Sequence, residues 1–291
     1  MYEFKMYSPC CTWYLEVQTD CVKVVDLINQ LFHGFIVLQR PLRTDLEFLS
    51  VSIEKQGEGY VMTGKGKTYT IKDLNGVGFY LYAVIDKLVE GNMDSQYWVF
   101  HGGVVAKNNY AYGIIAPTMT GKSTLVTYLS LNGFEYLSDD YIFVRRDNRE
   151  IRPLPLPGSL RATSVLGDVS LRAYTVDGYN ELRGENNVLV SLHHSSPKIY
   201  CLNKIFFINR CNENRIQMMD KGDLYKELLF NMKNALNLEI ERITVRDLVE
   251  YVDGYKLSFN NLGFVMACIE NGDSICNIND YSHNSTKNDS Y

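Results

Sequence analysis

Ala116-Pro117-Thr118-Met119-Thr120-Gly121-Lys122-Ser123-Thr124 is the stretch that decides the fold. Apolar residues precede it from Tyr110 to Ala116, and helix-forming residues follow from Lys122 to Leu131. Strand, loop, then Gly-Lys-Ser opening a helix is an arrangement that holds a polyphosphate. Backbone N–H groups and the helix N-terminus point at the anion. Lys122 would meet the β- and γ-phosphates as a point charge, and Ser123 would ligate Mg²⁺. Two positions depart from the usual loop: Ala116 stands where the first glycine is common, and Met119 holds a place often taken by glycine. Alanine tolerates most of the backbone required. Met119 is harder to accommodate at positive φ, so a reshaped loop is the expectation there. Taken alone, Gly-Lys-Ser-Thr could also be a chance helix start.

Working outward, Asn132-Gly133 ends the helix, and Phe134–Leu137 reads as a buried strand that delivers Asp139-Asp140. Two carboxylates beside a triphosphate would repel unless Mg²⁺ and Lys122 stood between them. Adjacent acids at a strand end can divide labour, one toward a metal and one toward a substrate hydroxyl. A solvated Asp-Asp turn is the plainer alternative. His101 opens His-Gly-Gly after an aromatic strand. By itself it reads as a structural histidine, and no second histidine stands at metal-ligand spacing. His33 and His193-His194 read as surface or loop residues.

At 291 residues and 46 % apolar content, the chain can hold one large α/β domain with a small addition. Its net charge of −5 provides no basic field for nucleic acid or anionic lipid. The seven cysteines include no C-x-x-C, which fits reduced thiols in a cytoplasmic protein. No apolar run reaches transmembrane length, and Met1-Tyr2-Glu3-Phe4-Lys5 is not a signal peptide.

Residues 1–95 read as an α+β region. Strands are expected at 2–7, 12–18, 46–54 and 59–71, the last a hairpin turning at Gly64-Lys65-Gly66. Helices are expected at 22–32 and 76–88. Residues 96–276 read as the phosphate-loop domain. Trp98–Ala106 is expected as one strand, and Tyr141–Arg145 as a continuation of the strand before Asp139. The prolines at 153, 155 and 157 make 146–160 an extended loop. Strands at 188–192, 204–209 and 256–259 and helices at 223–236 and 262–270 complete the reading. The tail at 277–291 is rich in Asn, Ser and Asp and is expected to be disordered.

With these residues in place, the chain resembles the HPr kinase/phosphorylase superfamily, which shares its fold with phosphoenolpyruvate carboxykinases. The resemblance rests on His101-Gly102, Tyr112-Gly113-Ile114-Ile115, Thr120-Gly121-Lys122-Ser123, Gly133 and Leu137-Ser138-Asp139-Asp140. It implies an α/β fold of the HPr kinase/phosphoenolpyruvate carboxykinase-like P-loop type. It also implies ATP and Mg²⁺ on Lys122 and Ser123, Asp140 as proton acceptor, His101 supporting it, and Asp139 near the metal. Glu181-Leu182-Arg183-Gly184 is similar to the family's E-I-R-G segment, which would make Glu181 a Mg²⁺ ligand, although the gap from Asp140 is longer. Smaller relatives, including kinases found with modified-peptide biosynthesis genes, carry a basic residue after a proline stretch, and Arg161 matches it as a phosphate contact. Nucleotide contacts are therefore expected from Ala116, Thr118, Thr120, Gly121, Lys122, Ser123, Thr124 and Arg161. The implied activity is phosphoryl transfer from ATP to a hydroxyl, such as Ser or Thr of a peptide or small protein, in the cytoplasm. A small-metabolite kinase and a non-catalytic nucleotide-binding regulator are the alternatives. The resemblance also leaves a homo-oligomer open.

Overall fold

The computed structural model describes residues 1–161, 179–183, 187–192, 199–234 and 238–271. The tail at 277–291, His193-His194 and Cys276 lie outside them. The described residues form a mixed α/β structure with three sheets.

The first sheet runs β1 (Tyr2–Tyr7), β2 (Trp13–Thr19), β3 (Glu47–Gln56), β4 (Gly59–Gly64) and β5 (Lys67–Ile71). Alternation in β3 turns Leu49, Val51 and Ile53 to one buried face. Helices α1 (Val22–Leu31) and α2 (Leu74–Gly91) cover that core. The α2 start is fixed by Asp73, whose carboxylate accepts from the Gly76 N–H at 2.8 Å.

The second sheet carries β6 (Tyr97–His101), β7 (Gly103–Lys107), β8 (Tyr110–Ile115), β9 (Glu135–Ser138), β10 (Tyr141–Arg145) and β11 (Glu150–Arg152). Its axis is the long strand β15 (Tyr200–Arg210), parallel to β8 on one side and to β17 (Asp253–Phe259) on the other. β16 (Arg215–Met218) extends the β17 edge. Helices α3 (Lys122–Leu131) and α6 (Leu262–Asn271) share a core with Ile114, Phe206 and Ile208 of this sheet. Helices α4 (Lys221–Phe230) and α5 (Leu238–Tyr251) share another core with Val104, Ile142 and Ile205. Each fully buried side chain of this kind contributes roughly 1.5–3 kcal/mol. A small sheet ordered β12 (Gly158–Arg161), β14 (Asn187–Leu192) and β13 (Tyr179–Arg183) contributes Leu160, Val188 and Val190 to the α3 core.

Several expectations need correction. The strand expected at Trp98–Ala106 is split at Gly102 into β6 and β7, and the strand pair around Asp139-Asp140 is split into β9 and β10. Both breaks fall at one level. His101 pairs with Tyr141 and Val104 with Ser138, in one register, so Gly102-Gly103 face Asp140-Asp139 across the gap. The segment 146–160 is not all loop: it contains β11 and the start of β12, because its apolar residues Ile151 and Leu160 complete two sheets. The helix expected to reach Leu236 stops at Phe230. Helix α5 was not anticipated, although Val245, Leu248, Val249 and Val252 lie buried at helical spacing; six charged residues between 239 and 250 obscured the pattern.

The core of the first sheet does not stop at residue 95. Tyr97, Val99, Tyr141 and Phe143 belong to it, along with Leu154 and Leu156 of the proline segment. That segment is strapped to β9 by Leu154 N–H to Leu137 O at 3.0 Å and Tyr136 O–H to Leu156 O at 2.6 Å. The six described cysteines are free thiols, and no described helix is long and apolar enough to cross a membrane.

A Cβ on Gly102 would lie 2.8 Å from Ile114 O and 2.6 Å from Ile142 Cδ1. Gly102→Ala is therefore expected to cost about 1–3 kcal/mol through overpacking. Urea unfolding should show a lower midpoint with an unchanged slope, and a midpoint equal to the parent's would mean the corner has room.

Candidate active site

Two residues of the loop after β8 take positive φ. Met119 has φ +74° and Gly121 has φ +99°. Met119, where a reshaped loop was expected, adopts the left-handed conformation itself and turns its side chain outward, 74 % exposed. Thr120 N–H closes a turn onto Pro117 O at 3.3 Å, and Gly121 is the N-cap of α3. The first N–H groups of that helix have no intrahelical acceptor, and Gly121, Lys122, Ser123 and Thr124 at that end line a cleft.

Lys122 then enters the corner formed by the two strand breaks. A Cβ on Gly103 would lie 2.5 Å from Val126 Cγ2, so the bare glycine lets α3 settle against the ribbon. The Lys122 ammonium donates to Asp139 Oδ1 at 3.1 Å, to Asp140 Oδ1 at 3.0 Å and to the Asp139 carbonyl. Burial disfavours its charge, but the two carboxylates outweigh burial and raise the Lys122 pKa. Burial also raises Asp139, which Lys122 only partly offsets. Asp140 behaves oppositely. Burial works against its charge, yet Lys122 prevails, helped by Tyr82, and the carboxyl sits below its usual range. His101 lies beside them, held below its ordinary pKa by burial and then by Lys122 and Lys233. Its Nδ1 is buried without a partner.

Around this corner opens a cleft of about 550 Å³. Ala116, Thr118, Gly121, Lys122, Ser123 and Thr124 line it, as do His101, Asp140 and Arg161. Thr120 does not line it. Asp139 lies beneath Lys122 at 2 % exposure, away from the cleft wall. Its Oδ2 is buried without a partner, as is Thr127 Oγ1, and a Cβ on Gly158 would lie 3.8 Å from both. Glu181 stands in β13 opposite Val190, and its side chain is outside what the structure describes. Among the described residues, no three His, Cys, Asp or Glu side chains converge as a preformed metal cage.

Two contributions escaped sequence reasoning. Arg210, at the end of β15, lines the same cleft; a charge closing the apolar run Ile205–Ile208 was the available signal. Tyr82 and Asp86 come from α2, in the N-terminal region. Tyr82 O–H donates to Asp140 Oδ2 at 3.3 Å, and Tyr141 O–H donates to Asp86 Oδ1 at 2.7 Å. Lys233 stands 4.5 Å from the Tyr141 ring centroid. Polar residues at i and i+4 on a largely apolar helix were the hint.

No family model and no curated protein matches this chain. A solved structure that it resembles is the Hpr(Ser) kinase/phosphatase from Coxiella burnetii, at 11 % identity and a TM-score of 0.28 over 60 % of this chain and 94 % of that one. So slight a likeness carries no functional argument.

Lys122→Ala should leave two facing carboxylates in a buried corner. The expected loss is about 3 kcal/mol at neutral pH, the low end for a broken buried pair because Asp140 is partly exposed. An acid with a raised folded pKa destabilises the fold when ionised, and protonation relieves it. The deficit should therefore shrink as pH falls through the carboxylate range. Urea unfolding at neutral pH and near about pH 4 checks this; a deficit independent of pH would mean lost packing rather than charge.

Proposed function

We propose that this chain is a Mg²⁺- and ATP-dependent kinase that transfers the γ-phosphoryl group to a hydroxyl, Ser or Thr of a peptide or small protein. The observation that carries the reading is Lys122 at the head of α3, held by Asp139 and Asp140 in a cleft that the start of that helix lines.

The residues fit such a ligand. Lys122, Arg161 and Arg210 supply positive charge, and the loop supplies backbone donors. Ser123 lines the cleft and offers an oxygen of the hard type Mg²⁺ takes, whereas Asp139, buried beneath Lys122 and off the cleft wall, would have to be uncovered to add a carboxylate beside the phosphates. Glu181 would add a further carboxylate. When bound, the metal would neutralise charge on the phosphates.

The protein's own part follows from Lys122. In the corner its charge favours the ionised form of Asp140 and makes that carboxylate weakly basic. A phosphate drawing Lys122 toward the loop would remove that restraint, and the Asp140 pKa would rise. Asp140 would then accept the proton from the substrate hydroxyl as its oxygen bonds to the γ-phosphorus and the bond from that phosphorus to the β–γ bridging oxygen breaks, releasing ADP. Tyr82 holds the second carboxylate oxygen, and His101 beside the same acid also favours its ionised form. Arg161 and Arg210 would stabilise the transferring group.

Transfer of labelled γ-phosphate to a panel of Ser-containing peptides tests the reading, with ATP binding measured separately by calorimetry. Asp140→Asn should lower transfer by about 10²–10⁴ while ATP still binds. Full transfer by that variant would remove Asp140 from the role of base. Met119→Gly should keep or raise ATP affinity, since glycine adopts the observed φ without strain. Tight ATP binding by the parent with no transfer to any peptide or small hydroxyl compound would favour a regulatory nucleotide-binding protein.

A further inference from the structure

A second cleft, of about 470 Å³, lies in the N-terminal region between the face of the first sheet and α2. Leu49 and Val51 of β3 and Met62 of β4 form its apolar floor. Val84 and Leu88 of α2 line the opposite wall. Tyr69 of β5 meets Tyr80 of α2 with ring centroids 4.7 Å apart and bounds one end. The volume lies in the range of clefts that hold small molecules.

The strand register says which side chains border this space. Val51 pairs with Gly64, and Gly64 with Lys67, so the three form one row across β3, β4 and β5. Side chains in such a row leave the same face of a sheet. Lys67 therefore rises on the face that carries Val51, and Tyr69, two residues on, uses that face to meet Tyr80. Gly64 leaves the middle of the row bare. On α2, Tyr80, Val84 and Lys87 stand at i, i+4 and i+7 and share one stripe. Lysines thus stand on both walls, at positions where a helix packed on a sheet calls for apolar residues.

Their charge is unanswered. Glu47 is the one carboxylate among the lining residues, and Lys65 and Asn92 already engage it at 2.5 and 2.8 Å. Among the described residues, neither Lys67 nor Lys87 has a carboxylate partner. An apolar floor under excess positive charge is thus built into a chain whose net charge is −5.

We propose that this cleft binds a small amphipathic anion, its apolar body on Leu49, Val51 and Met62 and its carboxylate or phosphate head at Lys67 and Lys87. Burial of the body supplies affinity, and charge-assisted hydrogen bonds from the lysines set its orientation. A neutral apolar ligand would leave both lysines without a counter-charge, and a purely polar anion would leave the floor unused. The cleft shares no lining residue with the one around Lys122. The proposal stands apart from the transfer reading, so either can fail alone.

Calorimetry of the full chain with decanoate, decyl phosphate, decanol and decylamine tests it. One or both anions should bind, and the tighter of the two names the head group. Decanol and decylamine carry the same apolar body and should bind about tenfold more weakly or worse, since each lacks the charge-assisted contacts. The double variant Lys67→Gln with Lys87→Gln should weaken the anions by a similar factor. It should keep the parent's affinity for decanol and its unfolding midpoint, because both lysines are exposed and without carboxylate partners among the described residues. Methyl NMR locates the site. The Met62 resonance, assigned through Met62→Leu, should shift when the anion is added, and that of Met119 in the other cleft should not. Four results would each overturn the proposal: no binding of either anion, equal binding of decanol or decylamine, indifference to the double variant, or a shift at Met119 without one at Met62.

Discussion

One ammonium group holds the centre of this molecule together. Lys122 is buried, and burial alone would cost far more than its contacts return if either acid were missing. With Asp139 and Asp140 both present, the three charges come close to balance, and the position of the α3 N-terminus relative to the β9–β10 break is fixed to within hydrogen-bond distance. The balance is uneven. Asp139 is driven toward its neutral form by burial, while Asp140 is kept charged by the lysine. Two neighbouring carboxyls are thus pushed in opposite directions by environment alone, a pattern that separates acid and base roles.

That contact requires backbone approach, and the approach requires bare glycine. Gly102 and Gly103 let Ile142 and Val126 pack directly on the ribbon. Side chains there would lift α3 and draw Lys122 away from the acids. The same break that interrupts two strands therefore sets His101, Asp139 and Asp140 beside one another. Interruption of a ladder next to a functional corner is a recurrent use of strand irregularity.

The N-terminal region is bound into this arrangement through α2. Its core continues into Tyr97, Tyr141 and Phe143 of the large sheet, and Tyr82 completes the hydrogen bonding of Asp140. Helix α2 thus has a polar duty on an apolar body, at the acid corner. Its Tyr82 hydroxyl is held far from ionisation by burial and then by the adjacent acids, so it serves as a donor only.

Local chemistry made much of this legible in the sequence. The strand–loop–helix signal at 110–131 rests on neighbours in the chain, and α3 begins at Lys122 and ends at Leu131 as read. The hairpin at Gly64-Lys65-Gly66 and strand β1 are equally local and fall where expected. The loop, His101 and the acid pair could be named because each lies in a short motif. What the tertiary structure alone decided depends on partners distant in the chain. Tyr82 stands 58 residues from Asp140, and nothing in its own helix says which carboxylate it meets. Arg210 joins the cleft only because β15 lies parallel to β8. Helix α5 was hidden by its charges until Val245 and Leu248 found the sheet. That Met119 itself takes a positive φ, with its side chain exposed, is likewise a property of the folded loop. Sequence determines the chemistry that neighbours can perform; which groups share a buried corner, and hence which of them carry charge, is settled by packing, because burial and opposing charge act through space rather than along the chain.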